Sequence, residues 1–506
     1  MKKSSDKFYE KFSSKNFSAE ESLLVYIKPV LILFLSMVIA STALLRANIY
    51  YFDDLNRMIT GEAGWDHFSR YLSCFFARII HANWKLTDVS PLTQLLALLI
   101  IAAAGIILIK VITGKSKISY LAIMAVIPLG FNPYFMECLS YKYDAPYMAL
   151  SILGAVLPVL FIHRKHWVFS LASAVSALII CTTYQAAIGI YPMLILFLSY
   201  LNWNKGTSYK ELFKTLGFAA GGYLLGLLFF RLILMKPIDS NDYITGAIFP
   251  ISKLIPGSIG HYQNYIRLLR QDFPTHWMVL IGINCAGFLF SSVTESKQNK
   301  FLSLLFSSIT LFCMFLLSFG AYPFMESDFD VPRSMYGLGG FLAIVSVYLV
   351  SRPKVILLKL SAVVLSWCFL VFGFTYGNAL NVQKDYSDFL TAQIYSDLCE
   401  VGIQHCHGEI IMDITGCSGE NPILEMAKQE YPILRRLIIP TLSSRNWVFG
   451  NEILRRQYLY PLSIQMGNLS EADLPLLKES LLYNIYGQDN SFKIELKEPL
   501  HSNKKL

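Results

Sequence analysis

Charged residues are scarce in this chain of 506 residues, at 15% against 54% hydrophobic ones. A soluble domain carries roughly 25% charged residues, so the shortage excludes an ordinary soluble fold and points to an integral membrane protein. The formal net charge of +8 is largely a bias of the short loops, with some attraction for anionic lipid head groups. It gives no reason to expect nucleic acid. No phosphate-binding loop and no Gly-rich dinucleotide fingerprint is present, so energy for any reaction has to arrive with the substrate. The nine cysteines form no metal-ligand spacing. Cys74, Cys138, Cys181, Cys285, Cys313 and Cys368 sit in or beside apolar segments, where cysteine is a small packing residue. Cys399, Cys406 and Cys417 fall in the polar C-terminal part. A Cys406–Cys417 disulfide suits an oxidising compartment, but three cysteines leave one over and the pairing stays open.

Long apolar runs are what the chain has instead. They recur at 24–45, 91–112, 118–135, 146–162, 167–181, 186–202, 214–234, 277–293, 301–319, 337–350 and 355–374. Most approach the roughly 20 residues a helix needs to cross a bilayer, which predicts an all-α polytopic protein with about eleven spans. Transmembrane β-strands would alternate over about ten residues, and these runs do not. Every second loop is short and basic: Lys110, Lys115 and Lys117, then Arg164 and Lys165, then Lys205, Lys210 and Lys214, then Lys297 and Lys300, then Arg352 and Lys354. With Lys2, Lys3, Lys7, Lys11 and Lys15 at the start, the positive-inside rule predicts a cytoplasmic N-terminus and a tail outside. The first run is read as an uncleaved helix, since it is long and no small-residue cleavage site follows. The span interiors are nearly free of charge, which argues against an ion-coupled carrier with a midplane site.

Polar chemistry collects in the outer loops. Asp53 and Asp54 follow the first run directly, in Tyr51-Phe52-Asp53-Asp54-Leu55-Asn56-Arg57. Carboxylates near a low-dielectric zone lose solvation, which raises their pKa and suits them to act as bases; the plain alternative is a solvated pair that stops a helix. Trp65, Phe68, Leu72, Phe75, Phe76 and Ile79 recur at helical spacing, opposite Asp66, Arg70, Ser73, Ala77 and His81. They predict an amphipathic helix lying in the interface with its aromatic side in lipid, and 261–273 suggests a second. Further clusters are Phe131 to Glu137, Leu139-Ser140-Tyr141-Lys142-Tyr143-Asp144, Thr183-Tyr184-Gln185, and Glu326 to Arg333 with Asp328 and Asp330. Together these loops supply carboxylates, cations (Arg57, Arg70, Lys142, Arg333) and aromatics. A phosphate needs cations, a nucleophilic hydroxyl needs a base and a sugar ring stacks on aromatics, so the set fits a reaction on a lipid-phosphate sugar.

The opening of the first outer loop (Tyr51 to Arg57, with Gly61 and Trp65), the Leu139 to Asp144 turn, and Pro332-Arg333 before Gly337 resemble the bacterial and phage-borne type II O-antigen glucosyltransferases, the serotype-converting enzymes. The resemblance covers roughly 24–375 and is weak over the tail. It implies a GT-C-like membrane glycosyltransferase of the bacterial inner membrane. Its donor would be undecaprenyl-phosphate glucose, used at the periplasmic face, and its acceptor lipid-linked O-antigen. A flippase and a synthase of the glucosyl lipid would be its pathway partners. In that architecture an acidic residue of the first outer loop is the base, which carries over to Asp53 or Asp54. Donor phosphate binding by cations is implied in kind; by location the candidates are Arg57, Arg70, Lys142 and Arg333, with Asp144 beside them. No cofactor is expected. Nothing resembles a zinc or EF-hand site, so any divalent metal would be a loosely held, partly hydrated ion.

Two domains are expected: a membrane domain over 1–375, holding the first periplasmic loop at 46–90, and a small α/β periplasmic domain over 376–506. In the latter, 383–402 reads as an amphipathic helix, and 409–414 and 492–496 alternate as strands. Asp413 and Glu420 are further acidic residues of this tail. Two other functions compete: a flippase or exporter of lipid-linked sugars, which would need a polar path through the spans, and an O-antigen polymerase, which would not need a glucosyl lipid.

Overall fold

The structure is a computed structural model. It describes residues 24–236, 247–327, 329–352, 355–440, 442, 454–455, 459, 462–469 and 473–497. The N-terminal lysines from Lys2 to Lys15, together with Asp328 and Lys354, lie outside the described residues.

Among the described residues, eight helices are long and apolar enough to cross a membrane: Leu24–Ala47, Leu92–Thr113, His166–Thr183, Gln185–Asn204, Tyr209–Leu234, Thr275–Thr294, Lys300–Leu317 and Ile356–Glu400. Three of the eleven apolar runs take other forms. The runs near 146–162 and 337–350 become the shorter apolar helices Ala145–Phe161 and Gly337–Ser351. The run at 118–135 does not continue straight. Tyr120–Leu129 and Pro133–Ser140 meet at a 70° bend and together would make a ninth span. The cause is local. Asn132 accepts hydrogen bonds from the backbone N–H of Tyr134 (3.1 Å) and Phe135 (3.2 Å), and Pro133 opens the new helix. An Asn cap followed by Pro is a helix-start signature, so the chain ends one helix and begins another inside what reads as a single run. The bend carries Phe131 to Ala149 into the interior, where every residue is buried. The segment expected as an outer loop is thus the centre of the protein.

The helix Ile356–Glu400 runs unbroken for 45 residues, roughly 68 Å at 1.5 Å per residue. A bilayer's apolar core is about 30 Å thick, so the helix is far longer than a crossing requires. The fall in hydropathy after Phe374 therefore marks a change of surroundings along one helix, with no break at 375. Its first half packs on Leu24–Ala47. The contact is close because Gly373 and Gly377 face that helix; a Cβ on Gly377 would lie 2.2 Å from the Leu44 nitrogen. Small residues at such spacing let backbones approach where no hydrophobic gain separates helix from lipid. Its second half supplies Leu390, Ile394 and Leu398 to a separate core with Ile410, Met412, Ile414, Ile485 and Ile494.

That core underlies a five-stranded sheet in the order β2-β1-β5-β4-β3, where β1 is Ile410–Gly416, β2 Ile464–Met466, β3 Leu476–Glu479, β4 Tyr483–Gln488 and β5 Ser491–Leu496. β1 lies parallel to β2 and β5, and β3-β4-β5 form antiparallel pairs. Alternation in β1 and β5 buries one side of the sheet against the helix. Cys406 and Cys417 are both free thiols.

Between β1 and β2 the chain returns to the membrane part. Leu424, Ile433, Leu434, Leu437 and Ile438 join the large core of the helical bundle. Arg436 pairs with Asp272 and donates to the Asp330 carbonyl, and the Leu437 carbonyl accepts from the Tyr51 hydroxyl at 2.9 Å. The tail is thereby fixed beside the first loop.

Candidate active site

Asp53 and Asp54 open the short helix Asp53–Thr60, and helical geometry sends the two side chains in different directions. Asp54 is fully buried. Its carboxyl accepts from the backbone N–H of Tyr51 (3.1 Å), Lys142 (2.8 Å) and, more weakly, Tyr143 (3.4 Å). It ties the first loop to the 141–144 turn. Burial pushes its pKa up to about 8, the Asp144 charge adds to this, and Arg57 and the backbone donors of Lys142 and Tyr51 work against it. The Asp53 side chain is 55% exposed and lies 3.9 Å from Arg57. The two adjacent carboxylates are thus physically different groups.

Arg57, one turn on, is buried. Its Nη1 stands 2.7 Å from Asp144 Oδ2, a contact of charge more than an aligned hydrogen bond. Its Nε donates to the Ala63 carbonyl at 3.3 Å, and its guanidinium lies over the Trp65 ring, 5.0 Å from the centroid. The Trp65 indole N–H donates to the other oxygen of Asp144 at 2.5 Å. Trp65 is therefore a buried site residue, against the expectation that it faces lipid. A hydrogen-bonded indole is satisfied only beside an acceptor, which draws it inward. The helix that follows is Tyr71–Ile80; Ser73, Ala77 and His81 are buried, while Phe75 and Ile79 are exposed. Burial raises the Asp144 pKa, against the lowering effect of Arg57.

Lys142 is engaged elsewhere. Its Nζ pairs with Asp88 at 2.9 Å and sits 3.8 Å from the centre of the Tyr50 ring, with the side chain nearly fully buried. Burial pushes the Asp88 pKa up, but hydrogen bonds from Lys142, Ser90 and Tyr50 outweigh it and hold the carboxyl below its ordinary value. Arg333 pairs with Glu137 on the buried bent helix, at 2.8 Å, and its backbone N–H donates to the same carboxylate. Its guanidinium is 5.9 Å from the Phe52 ring and 5.5 Å from the Tyr141 ring, so the 333 loop and the Asp53 loop share one wall. Arg70 lies over Tyr184 at 4.5 Å and donates to Gln185 Oε1 at 3.1 Å.

The sequence candidates therefore converge. Asp53, Asp54, Arg57, Asp144 and the Lys142 backbone form one connected cluster, Arg333 adjoins it through Phe52 and Tyr141, and Arg70 acts on the Asp144 charge. Asp413 and Glu420 stay apart from it, accepting from the Leu469 N–H and pairing with Lys428. Reasoning from sequence missed Trp65 and Asp88 as members, and nothing in their spacing announces their partners. Among the described residues no group of three or more His, Cys, Asp or Glu stands together as a metal site.

Residues 42–349 match the family described as Glucosyl transferase GtrII. The chain belongs to this family. The match includes every cluster residue described above, and the family makes this protein a membrane glucosyltransferase of the O-antigen-modifying kind. A phage relative supports the same placement. It is described as an uncharacterized 55.3 kDa protein in the gtrB 5′ region of Salmonella phage P22, and is 23% identical over 441 residues, covering 84% of this chain and 89% of its own length. No solved structure matches the chain.

Proposed function

We propose that this GtrII glucosyltransferase takes glucose from a polyprenyl-phosphate donor, undecaprenyl-phosphate glucose, and adds it to lipid-linked O-antigen at the periplasmic face of the inner membrane. Asp53 is the base. The exposure of Asp53 beside a fully buried Asp54 carries this assignment, since a base must reach the hydroxyl it deprotonates. Asp54 is buried, is held by backbone donors, and has a pKa of about 8; it keeps its proton at neutral pH and serves to hold the 141–144 turn.

In the reaction the acceptor hydroxyl gives its proton to Asp53 while its oxygen forms a bond to the glucose anomeric carbon. The bond from that carbon to the phosphate oxygen breaks, and the phosphate leaves with the electron pair. Arg70 binds the donor phosphate and holds it equally before and during transfer, and Arg333, whose charge is met by Glu137, adjoins this wall. Arg57, Lys142 and Asp144 are mutually neutralised or paired within the wall, and act by holding it. The positive-inside bias of the short loops supports a periplasmic position for this face. The tail from 376 onward stands on the same side, and its 431–438 segment abuts the Tyr51 loop.

The test is transfer of radiolabelled glucose from polyprenyl-phosphate glucose to a panel of lipid-linked O-antigens by protein in lipid nanodiscs. Label on an acceptor supports the reading. Absence of transfer by well-folded protein to every acceptor overturns it.

A further inference from the structure

Arg70 differs from the other site cations in how its charge is met. Arg57 faces Asp144, Lys142 faces Asp88 and Arg333 faces Glu137. Among the described residues no carboxylate stands within ion-pair distance of Arg70. What holds it is neutral. Its Nε donates to Gln185 Oε1 at 3.1 Å, and its guanidinium lies 4.5 Å from the Tyr184 ring centre and 5.1 Å from that of Phe68.

Gln185 has no freedom in this arrangement. Its Nε2 donates to the Cys181 carbonyl at 3.0 Å and the Phe68 carbonyl at 3.3 Å. Both amide protons are used, so the amide oxygen is the group left to face Arg70. Turning the amide over would set its oxygen against two carbonyls and its NH₂ against a guanidinium, which has no acceptor. The orientation is therefore fixed by three contacts, and it occupies the Nε edge of Arg70. Among the described residues the two Nη groups have no hydrogen-bond partner, and these form the edge that binds a phosphate through two parallel bonds.

We propose that Gln185 is a positioning residue that aims the Nη edge of Arg70 at the phosphate of the lipid-linked sugar donor. This rests on the donor reading above. A neutral amide holds the guanidinium in place without spending its charge, which a carboxylate at the same position would do. Tyr184 and Phe68 complete the mount by fixing the plane of the fork.

The experiment measures donor KM, acceptor KM and kcat for full-length protein in nanodiscs with polyprenyl-phosphate glucose, for Gln185→Met, Gln185→Glu, Arg70→Ala and Arg70→Ala with Gln185→Met. A lost hydrogen bond to a charged group changes binding by about tenfold or more. Gln185→Met should raise donor KM about tenfold, with kcat and acceptor KM within about twofold. Gln185→Glu should raise it further, because the new carboxylate neutralises Arg70 and opposes two carbonyls. In the Arg70→Ala background Gln185→Met should add less than about twofold, as expected for residues that act as a unit. KM does not depend on how much protein survives folding, so reduced yield leaves the comparison valid. An unchanged proportional loss in the Arg70→Ala background, or a fall in kcat with donor KM unmoved, overturns the inference while leaving the donor reading intact. Normal donor KM in Arg70→Ala overturns both the role of Arg70 and that of Gln185. No transfer by the wild type overturns the donor reading itself.

Discussion

Arg57 and Asp144 stand 2.7 Å apart, buried, and come from segments 87 residues apart in the chain. One lies on the first-loop helix and the other at the head of the helix Ala145–Val156. Removing one partner of a buried pair leaves an uncompensated charge and costs about 3–5 kcal/mol. Arg57→Ala and Asp144→Ala should each lower thermal stability by that order in nanodiscs. Replacing both with apolar residues should recover much of the stability without restoring transfer, because Asp53 loses its neighbouring cation. Thermal unfolding of the two single variants and the double variant checks this.

The acidic group inside the cluster makes stability depend on pH. The folded-state pKa of Asp54 lies at about 8, above the roughly 3.9 of an exposed aspartate. Between those values the folded protein binds the proton and the unfolded chain does not, so stability falls as pH rises through this window and levels off above it. Asp54→Asn keeps an oxygen for the Lys142 and Tyr51 N–H groups and has nothing to titrate. It should fold and should flatten the slope of melting temperature against pH between about 4 and 8. An unchanged slope would show that another group sets it.

The tail contact is testable apart from chemistry. Arg436 neutralises buried Asp272, to which the Tyr134 hydroxyl also donates at 2.9 Å. Arg436→Met should destabilise the protein by about 3–5 kcal/mol and raise amide exchange across 431–438. Tyr51→Phe loses one hydrogen bond to the Leu437 carbonyl and should cost about 1 kcal/mol. Hydrogen exchange read by mass spectrometry should show the first change much larger than the second.

Much of the bundle is legible in the sequence because apolar length dictates membrane crossing. The acidic pair, Lys142, Asp144 and Arg333 are likewise visible as charges in places where charge is costly. The strands at 410–416 and 491–496 announce themselves by alternation. What escapes are relationships between distant segments. Asn132-Pro133 is a capping signal, but hydropathy overrides it and the run reads as straight. Trp65 reads as lipid-facing because spacing records a face and not the acceptor, Asp144, that lies across the fold. The unbroken helix through 375 is hidden because its buried face passes from one core, at Phe369 and Tyr376, to another, at Leu390 and Ile394. The difference between Asp53 and Asp54 is invisible in a dipeptide; it arises only when the 141–144 turn closes over one of them.

The division of labour between those two aspartates is the centre of the account, and glucose transfer by Asp53→Asn and Asp54→Asn tests it most directly. Both proteins would be assayed in nanodiscs with polyprenyl-phosphate glucose and an acceptor used by the wild type, near neutral pH. Loss of a positioned base costs about 10²–10⁴-fold, so Asp53→Asn should fold normally and lose kcat on that scale, whereas Asp54→Asn should retain most of its activity. The reverse pattern, with a folded Asp54→Asn inactive and Asp53→Asn near wild type, would contradict the assignment.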